Sequence, residues 1–360
     1  MKLIYLDTSH IALLARELLE TPSRINAFIT KWRDKNFLLA LSQFSFIEIS
    51  EYDSFKIRNS RYNLLEQFLP IKFEAGSFYE KEIINCLISK KLVHANITVP
   101  FSLLISTKND LIDVINFMEK PEHRAHFRYM AKMHEFAWGL ESLRRTTKRE
   151  KKRRLSDIPN DVESVDHTEE FKNLMTSFQQ DALKTSTPIN KEVIQDGFNS
   201  LITSFDSFSL LANEKGYRNT LGEFFGFDPS NKKILKKPIE EMLTKHRFSL
   251  LAHATSTSAN IPVDLILKNV SLEECKGLWL NFKVRNHLVN AEDTHSSNEY
   301  DLEQIQYLPY VDTLFADRRI VDKTKRVLQR KDLIESLKNV SLPLKVDNSV
   351  KSFENILFAT

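Results

Sequence analysis

The run Leu3-Ile4-Tyr5-Leu6, followed at once by Asp7, Thr8 and Ser9, constrains the fold more than any other stretch. Four consecutive apolar residues suit a strand buried on both faces, the environment of a parallel sheet covered by helices. A carboxylate at the end of such a strand stands on the carboxyl rim, where open α/β sheets hold their ligands. Thr8 and Ser9 suit the start of a helix that Ile11, Leu13, Leu14, Leu18 and Leu19 continue at roughly helical spacing. Asp is also a common helix cap, so the position of Asp7 alone leaves a ligand role and a capping role open.

The same pattern of a buried strand ending on polar residues recurs. Phe37 to Ser42 reads as a second buried strand, and Phe44 to Tyr52 as a helix carrying Glu48, with Phe44, Ile47 and Phe55 toward the core. A single Glu on a helix is ordinarily solvated, so Glu48 gains meaning only from company. Residues 58 to 142 read as mainly helical, with Leu64, Leu65, Phe68 and Leu69 on one face and Ile83, Ile84, Leu87 and Ile88 on another. Helices dominate again from 171 to 290, where Gly222, Gly226 and Pro229 mark loops. His246 and His253 lie seven apart, without the third ligand a zinc site needs.

Composition removes several function classes. Only 7 glycines occur in 360 residues, and neither GxGxxG nor GxxxxGK[ST] is present, so no glycine-rich phosphate loop is expected. Cys86 and Cys275 form no CxxC motif and no disulfide framework, which fits a reducing compartment. No apolar run approaches the roughly 18 residues that span a bilayer. Asp7 and His10 interrupt the first apolar run, a poor signal peptide, and the expected location is cytoplasmic. Net charge is only +3, so any polyanion-binding surface has to be local. One such block exists at 144–154 (RRTTKREKKRR), with eight basic residues against one acid. It suits either phosphate contact or a solvated helix end leading into the acidic stretch at 155–170.

The C-terminal part repeats the opening theme. Asp301 to Leu308 reads as a short helix opening on its acid, Pro309-Tyr310 breaks it, and Val311 to Ala316 reads as a strand that ends on Asp317. Arg318-Arg319-Ile320 starts another helix, and a weaker strand follows near Leu342 to Val346. Parallel strands deliver their ends to one rim, which would gather Asp7, Glu48, Asp301 and Asp317. Clustered carboxylates repel one another unless cations sit among them, and all-oxygen ligands suit Mg²⁺ or Mn²⁺ rather than Zn²⁺. Paired cations of that kind carry out in-line phosphoryl displacement without a Cys or His nucleophile.

The set LDTS at 6–9, Ser42 with Glu48, Asp301 in its helix and YLPYVDTLFADRR at 307–319 resembles the PIN-domain nucleases. The resemblance implies a parallel sheet between helices and a tetrad of acids that binds Mg²⁺ or Mn²⁺ and cuts RNA, single-stranded or structured. By it, Asp7, Glu48, Asp301 and Asp317 are the catalytic metal ligands, with Asp312 a second candidate for the third acid although it stands at the strand entrance. Thr8 supports a ligand carboxylate or the attacking water through its hydroxyl. Arg318 and Arg319 are placed for phosphate contact or for pairing with nearby acids.

The long spacing between Glu48 and Asp301 implies a core of residues 1–58 and 286–360 split by a mostly α-helical insertion at 59–285, charged at 144–170. The activity implied is metal-dependent endoribonuclease, in a toxin, a defence nuclease or an RNA-processing enzyme. The partners implied are RNA, a protein regulator or antitoxin, and a second copy of the chain. Two rivals stand beside it. A haloacid-dehalogenase-type phosphatase also starts with an Asp after a strand, but needs an acid two residues later, where this chain has Ser9. An inactive PIN-like scaffold that binds RNA or protein is the other.

Overall fold

A computed structural model of the chain describes residues 1–51, 54–74, 78–94, 102–121, 123, 154–157, 209–289, 298–316, 318–328 and 346–347, with single positions between 176 and 207. The chain divides into two compact units, one of Met1–Arg124 with Leu251–Thr360 and one of Ala125–Leu250. The first unit is therefore discontinuous in sequence.

Its centre is a six-stranded sheet in the order β4-β3-β2-β1-β5-β6, formed by β1 (Lys2–Leu6), β2 (Phe37–Ser42), β3 (Ile71–Glu74), β4 (Ser102–Ile105), β5 (Thr313–Phe315) and β6 (Val346–Asp347). All pairings are parallel except β3 with β4. This is an α/β fold with a mostly parallel sheet. Every residue of β2 is buried, as are Ile4, Tyr5 and Leu6 of β1. These are the apolar runs that suit a strand covered on both faces.

Helices α1 (Thr8–Glu20), α2 (Pro22–Asp34), α3 (Gln43–Glu51), α4 (Phe55–Gln67), α5 (Phe78–Ser89) and α6 (Lys108–Glu119) follow the strands of the N-terminal half. In α1 the buried residues Ile11, Leu14 and Ala15 recur at the three- and four-residue steps of one helix face. In α2, Pro22 takes the first helical position, where its missing N–H costs nothing. Ile25, Phe28, Ile29 and Trp32 line its buried face, and the Trp32 ring lies edge-on against Phe37 and Phe68. Burying each side chain of this size is worth about 1.5–3 kcal/mol.

The second unit holds α7 (Tyr217–Phe225), α8 (Lys232–Leu235) and the first part of α9 (Ile239–Ala259), with Leu155, Phe227 and Met242 as a small core. The first unit resumes with α10 (Val263–Asn269), α11 (Lys276–Val289), α12 (Asn298–Ile305) and α13 (Arg318–Leu328). At the start of helix α11, Glu82 of α5, buried, accepts the backbone N–H groups of Gly277 and Leu278 at 2.7 Å each, and the Tyr310 hydroxyl donates to it as well. A carboxylate at a helix N-terminus satisfies orphan donors and meets the positive end of the helix dipole.

Several sequence-based expectations change. Residues 59–285 are not an insertion throughout, because β3 and β4 belong to the central sheet. Both strands are only four residues long, and the segments around them have helical periodicity, so strands this short are lost in the pattern. Helix α12 starts at Asn298, so Asp301 lies inside it rather than opening it. Phe55 is 71 % exposed and faces away from the core, unlike Ile47. The basic block lies outside the described residues except Arg154, which bridges to Pro238.

Candidate functional site

Asp7 follows the last residue of β1, and its N–H donates to the Phe315 carbonyl of β5 at 2.9 Å, which continues the parallel ladder by one step. It holds the N-cap position of α1, yet its side chain makes no capping bond. The carboxylate serves other donors. Thr8 Oγ1 lies 3.2 Å from Asp7 Oδ1, Ser9 Oγ donates to Oδ2 at 2.7 Å, and Gln304 Nε2 donates to Oδ1 at 3.0 Å. The capping alternative is thus set aside by geometry, and Asp7 is 3 % exposed.

Glu48 reaches the same point from α3. Its Oε2 accepts from Thr8 Oγ1 at 2.8 Å and from Gln304 Nε2 at 3.1 Å. One hydroxyl and one amide therefore sit between two carboxylates. Like charges so close repel, and shared donors offset part of that repulsion.

Gln304 is held there from the C-terminal half of the chain. Leu302 and Ile305 of α12 are fully buried, and Asn281 of α11 donates to the Leu302 carbonyl at 2.8 Å. Just beyond α12, the Tyr307 ring stacks on Tyr5 with centroids 5.2 Å apart and packs on Phe78 at 4.7 Å. The Tyr5 hydroxyl bonds Ser42 Oγ at 2.8 Å and Ser45 Oγ at 3.0 Å. Burial pushes the Tyr5 and Tyr307 phenols well above their ordinary range, so both stay neutral.

A further acid stands on the same rim. Glu74 ends β3 in register with Ser42 at the end of β2, and is buried between Lys81 at 2.5 Å and Lys72 at 3.4 Å. Its strand escaped sequence reasoning, and so did the acid. With strands about 4.8 Å apart, its backbone is roughly 10 Å from that of Asp7.

Of the acids and helpers expected from sequence, Asp7, Thr8 and Glu48 come together. Asp312 does not join them. Its Oδ2 accepts the Leu3 N–H at 2.7 Å and its own N–H donates to the Leu3 carbonyl at 2.8 Å, at the opposite ends of the strands from Asp7. Asp301 lies in α12 three positions before Gln304, but its side chain, the side chains of Arg318 and Arg319 in α13, and all of Asp317 lie outside the described residues. The residue sequence reasoning missed is Gln304, because a search for carboxylates passes over amides. The available signal was a polar residue set among Leu302, Ile305 and Leu308.

The donors meeting here are oxygens of the kind hard divalent cations prefer. Gln304 Oε1 is buried with no hydrogen-bond partner, an omission that ordinarily costs about 1–3 kcal/mol. Gln304 turns Nε2 rather than Oε1 toward the carboxylates of Asp7 and Glu48, and those two side chains are oxygen donors of the kind that suits Mg²⁺ or Mn²⁺. Among the described residues no group of three or more His, Cys, Asp or Glu side chains is placed to hold a metal. His246 and His253 share α9 with no third ligand among the described residues, and burial holds the His246 imidazole below its ordinary range. No helix among the described residues is long and apolar enough to cross a membrane.

No family model, curated protein or solved structure matches the chain.

Proposed function

We propose that the chain is a PIN-like, metal-dependent endoribonuclease whose site lies at the carboxyl rim around Asp7. The observation that carries this reading is the convergence of Asp7 and Glu48, from separate elements, on the same hydroxyl and the same amide beside an orphaned buried oxygen. Bound Mg²⁺ or Mn²⁺ would polarise the phosphodiester and provide an activated water.

Asp7 and Glu48 would hold the cation, joined by Asp301 and Asp317 as the resemblance implies. Thr8 Oγ1 fixes the rotamer of Glu48, and Ser9 fixes the second oxygen of Asp7, so both ligands are preorganised. Arg318 and Arg319 would contact substrate phosphates, and the basic block at 144–154 would guide RNA. The cytoplasm is the compartment that suits such an enzyme.

A second reading, a PIN-like scaffold that binds RNA without cutting it, is favoured by one feature: an amide rather than an acid contacts both carboxylates. One experiment separates the two. A mixed RNA pool is incubated with Mn²⁺ or EDTA and either wild type or Asp7→Asn. Cleavage that requires both Mn²⁺ and Asp7, with a loss of at least about 10²-fold in the variant, supports the nuclease. RNA binding without cleavage moves the scaffold ahead, and equal cleavage by Asp7→Asn removes Asp7 from the site.

A further inference from the structure

Gln304 Nε2 lies 3.0 Å from one carboxylate oxygen and 3.1 Å from another, at the place where a cation shared by Asp7 and Glu48 would have to bind. The nitrogen assignment follows from its partners, since an amide oxygen cannot donate to two carboxylates. A cation and an N–H donor cannot occupy that place together. The same side chain carries Oε1, fully buried and without a partner, one amide rotation away from it. That last torsion of a glutamine is broad and close to two-fold, so the torsion itself favours neither orientation of the amide.

We propose that Gln304 is the exchangeable member of the cation site. In the arrangement seen here its amide nitrogen substitutes for the cation and holds the two carboxylates together. When Mg²⁺ or Mn²⁺ enters, the amide turns and presents Oε1 as an additional oxygen ligand. The inference deepens the proposed function and rests on cation binding at Asp7 and Glu48. It accounts for the orphaned oxygen and for the two contacts of the amide nitrogen with one feature.

The test uses the full chain with its glutamine side-chain amides labelled with ¹⁵N. The Gln304 –NH₂ signal is assigned by its disappearance in Gln304→Met, and Mg²⁺ is then titrated. Release from two charged acceptors is expected to shift that signal as Mg²⁺ saturates, a change that a residue acting only through packing would not show. In parallel, Mn²⁺ binding is measured by electron paramagnetic resonance for wild type, Gln304→Met and Asp7→Asn. Gln304→Met keeps the side-chain volume, and its Mn²⁺ affinity is expected to fall about 10- to 100-fold.

Saturable, Asp7-dependent Mn²⁺ binding with an unmoved Gln304 signal overturns this inference and leaves the cation site standing. So does unchanged affinity in Gln304→Met. Absence of Asp7-dependent binding in the wild type overturns both.

Discussion

Replacing Glu82 by Gln tests how the molecule positions Gln304 from a distance. Glu82 anchors the N-terminus of α11, Asn281 of α11 bonds the Leu302 carbonyl of α12, and α12 carries Gln304. In Glu82→Gln one oxygen remains, and the new –NH₂ faces a backbone N–H that held a carboxylate oxygen at 2.7 Å. A charge-assisted bond is worth about 1.5–3 kcal/mol and an unpaired buried donor costs about 1–3 kcal/mol. The two overlap, and the desolvation of the buried carboxylate offsets part of them, so the expected loss at neutral pH is about 1–3 kcal/mol.

The pH dependence adds a sign. Burial raises the Glu82 pKa above its ordinary 4.5 in the folded state, ahead of the opposing bonds from Tyr310, Gly277 and Leu278. A raised carboxyl binds its proton more readily when folded, so its contribution is fully present below the unfolded value. It is lost as pH rises through the folded one, with a slope of at most about 1.4 kcal/mol per pH unit. The gap between wild type and Glu82→Gln should therefore widen as pH falls toward 4.5. The assay is urea unfolding between pH 4.5 and 8, followed by tryptophan fluorescence. Trp279 in the first turn of α11 is a suitable reporter. Equal midpoints at every pH would refute the reasoning.

Two further outcomes follow from packing. A Cβ on Gly277 would lie 2.3 Å from the Gln306 carbonyl oxygen and 2.8 Å from Phe78, so Gly277→Ala has to push apart α11 and the segment that follows Gln304. A loss of about 1–3 kcal/mol in urea unfolding is expected, together with a smaller Mn²⁺-induced rise in Tm. Asp312→Ala should cost about 1–2 kcal/mol by freeing the Leu3 N–H, yet leave Mn²⁺ binding unchanged, which calorimetric titration would check.

The parts of the fold legible in the sequence were those with strong local signals. β2 matches the reading of Phe37 to Ser42, and β1 departs by one residue, because unbroken apolar runs ending on polar residues leave little choice. β3 and β4 were not legible, since Ile71–Glu74 alternates too briefly and the exposed Leu103 and Leu104 carry no burial pattern. At the site, Asp7 and Glu48 were legible as acids at the right points of strand and helix. Asp312 was legible as an acid at the strand entrance, and its bond to the Leu3 N–H places it at the opposite end of the strands from Asp7. Gln304 was not legible, because its role comes from what it touches rather than from its own charge.

The order of these residues along the chain also sets a clock. Asp7 and Glu48 leave the ribosome before Gln304, and β1 can pair with β2 in the interval. Gln304 follows Glu48 by 256 positions, about 13–50 s later at a synthesis rate of roughly 5–20 residues per second. β5, whose Phe315 carbonyl receives the Asp7 N–H, comes later still. Until then the two carboxylates have no amide between them. Bringing Gln304 between Asp7 and Glu48 therefore requires α12 to return to the first strand after a long interval of synthesis.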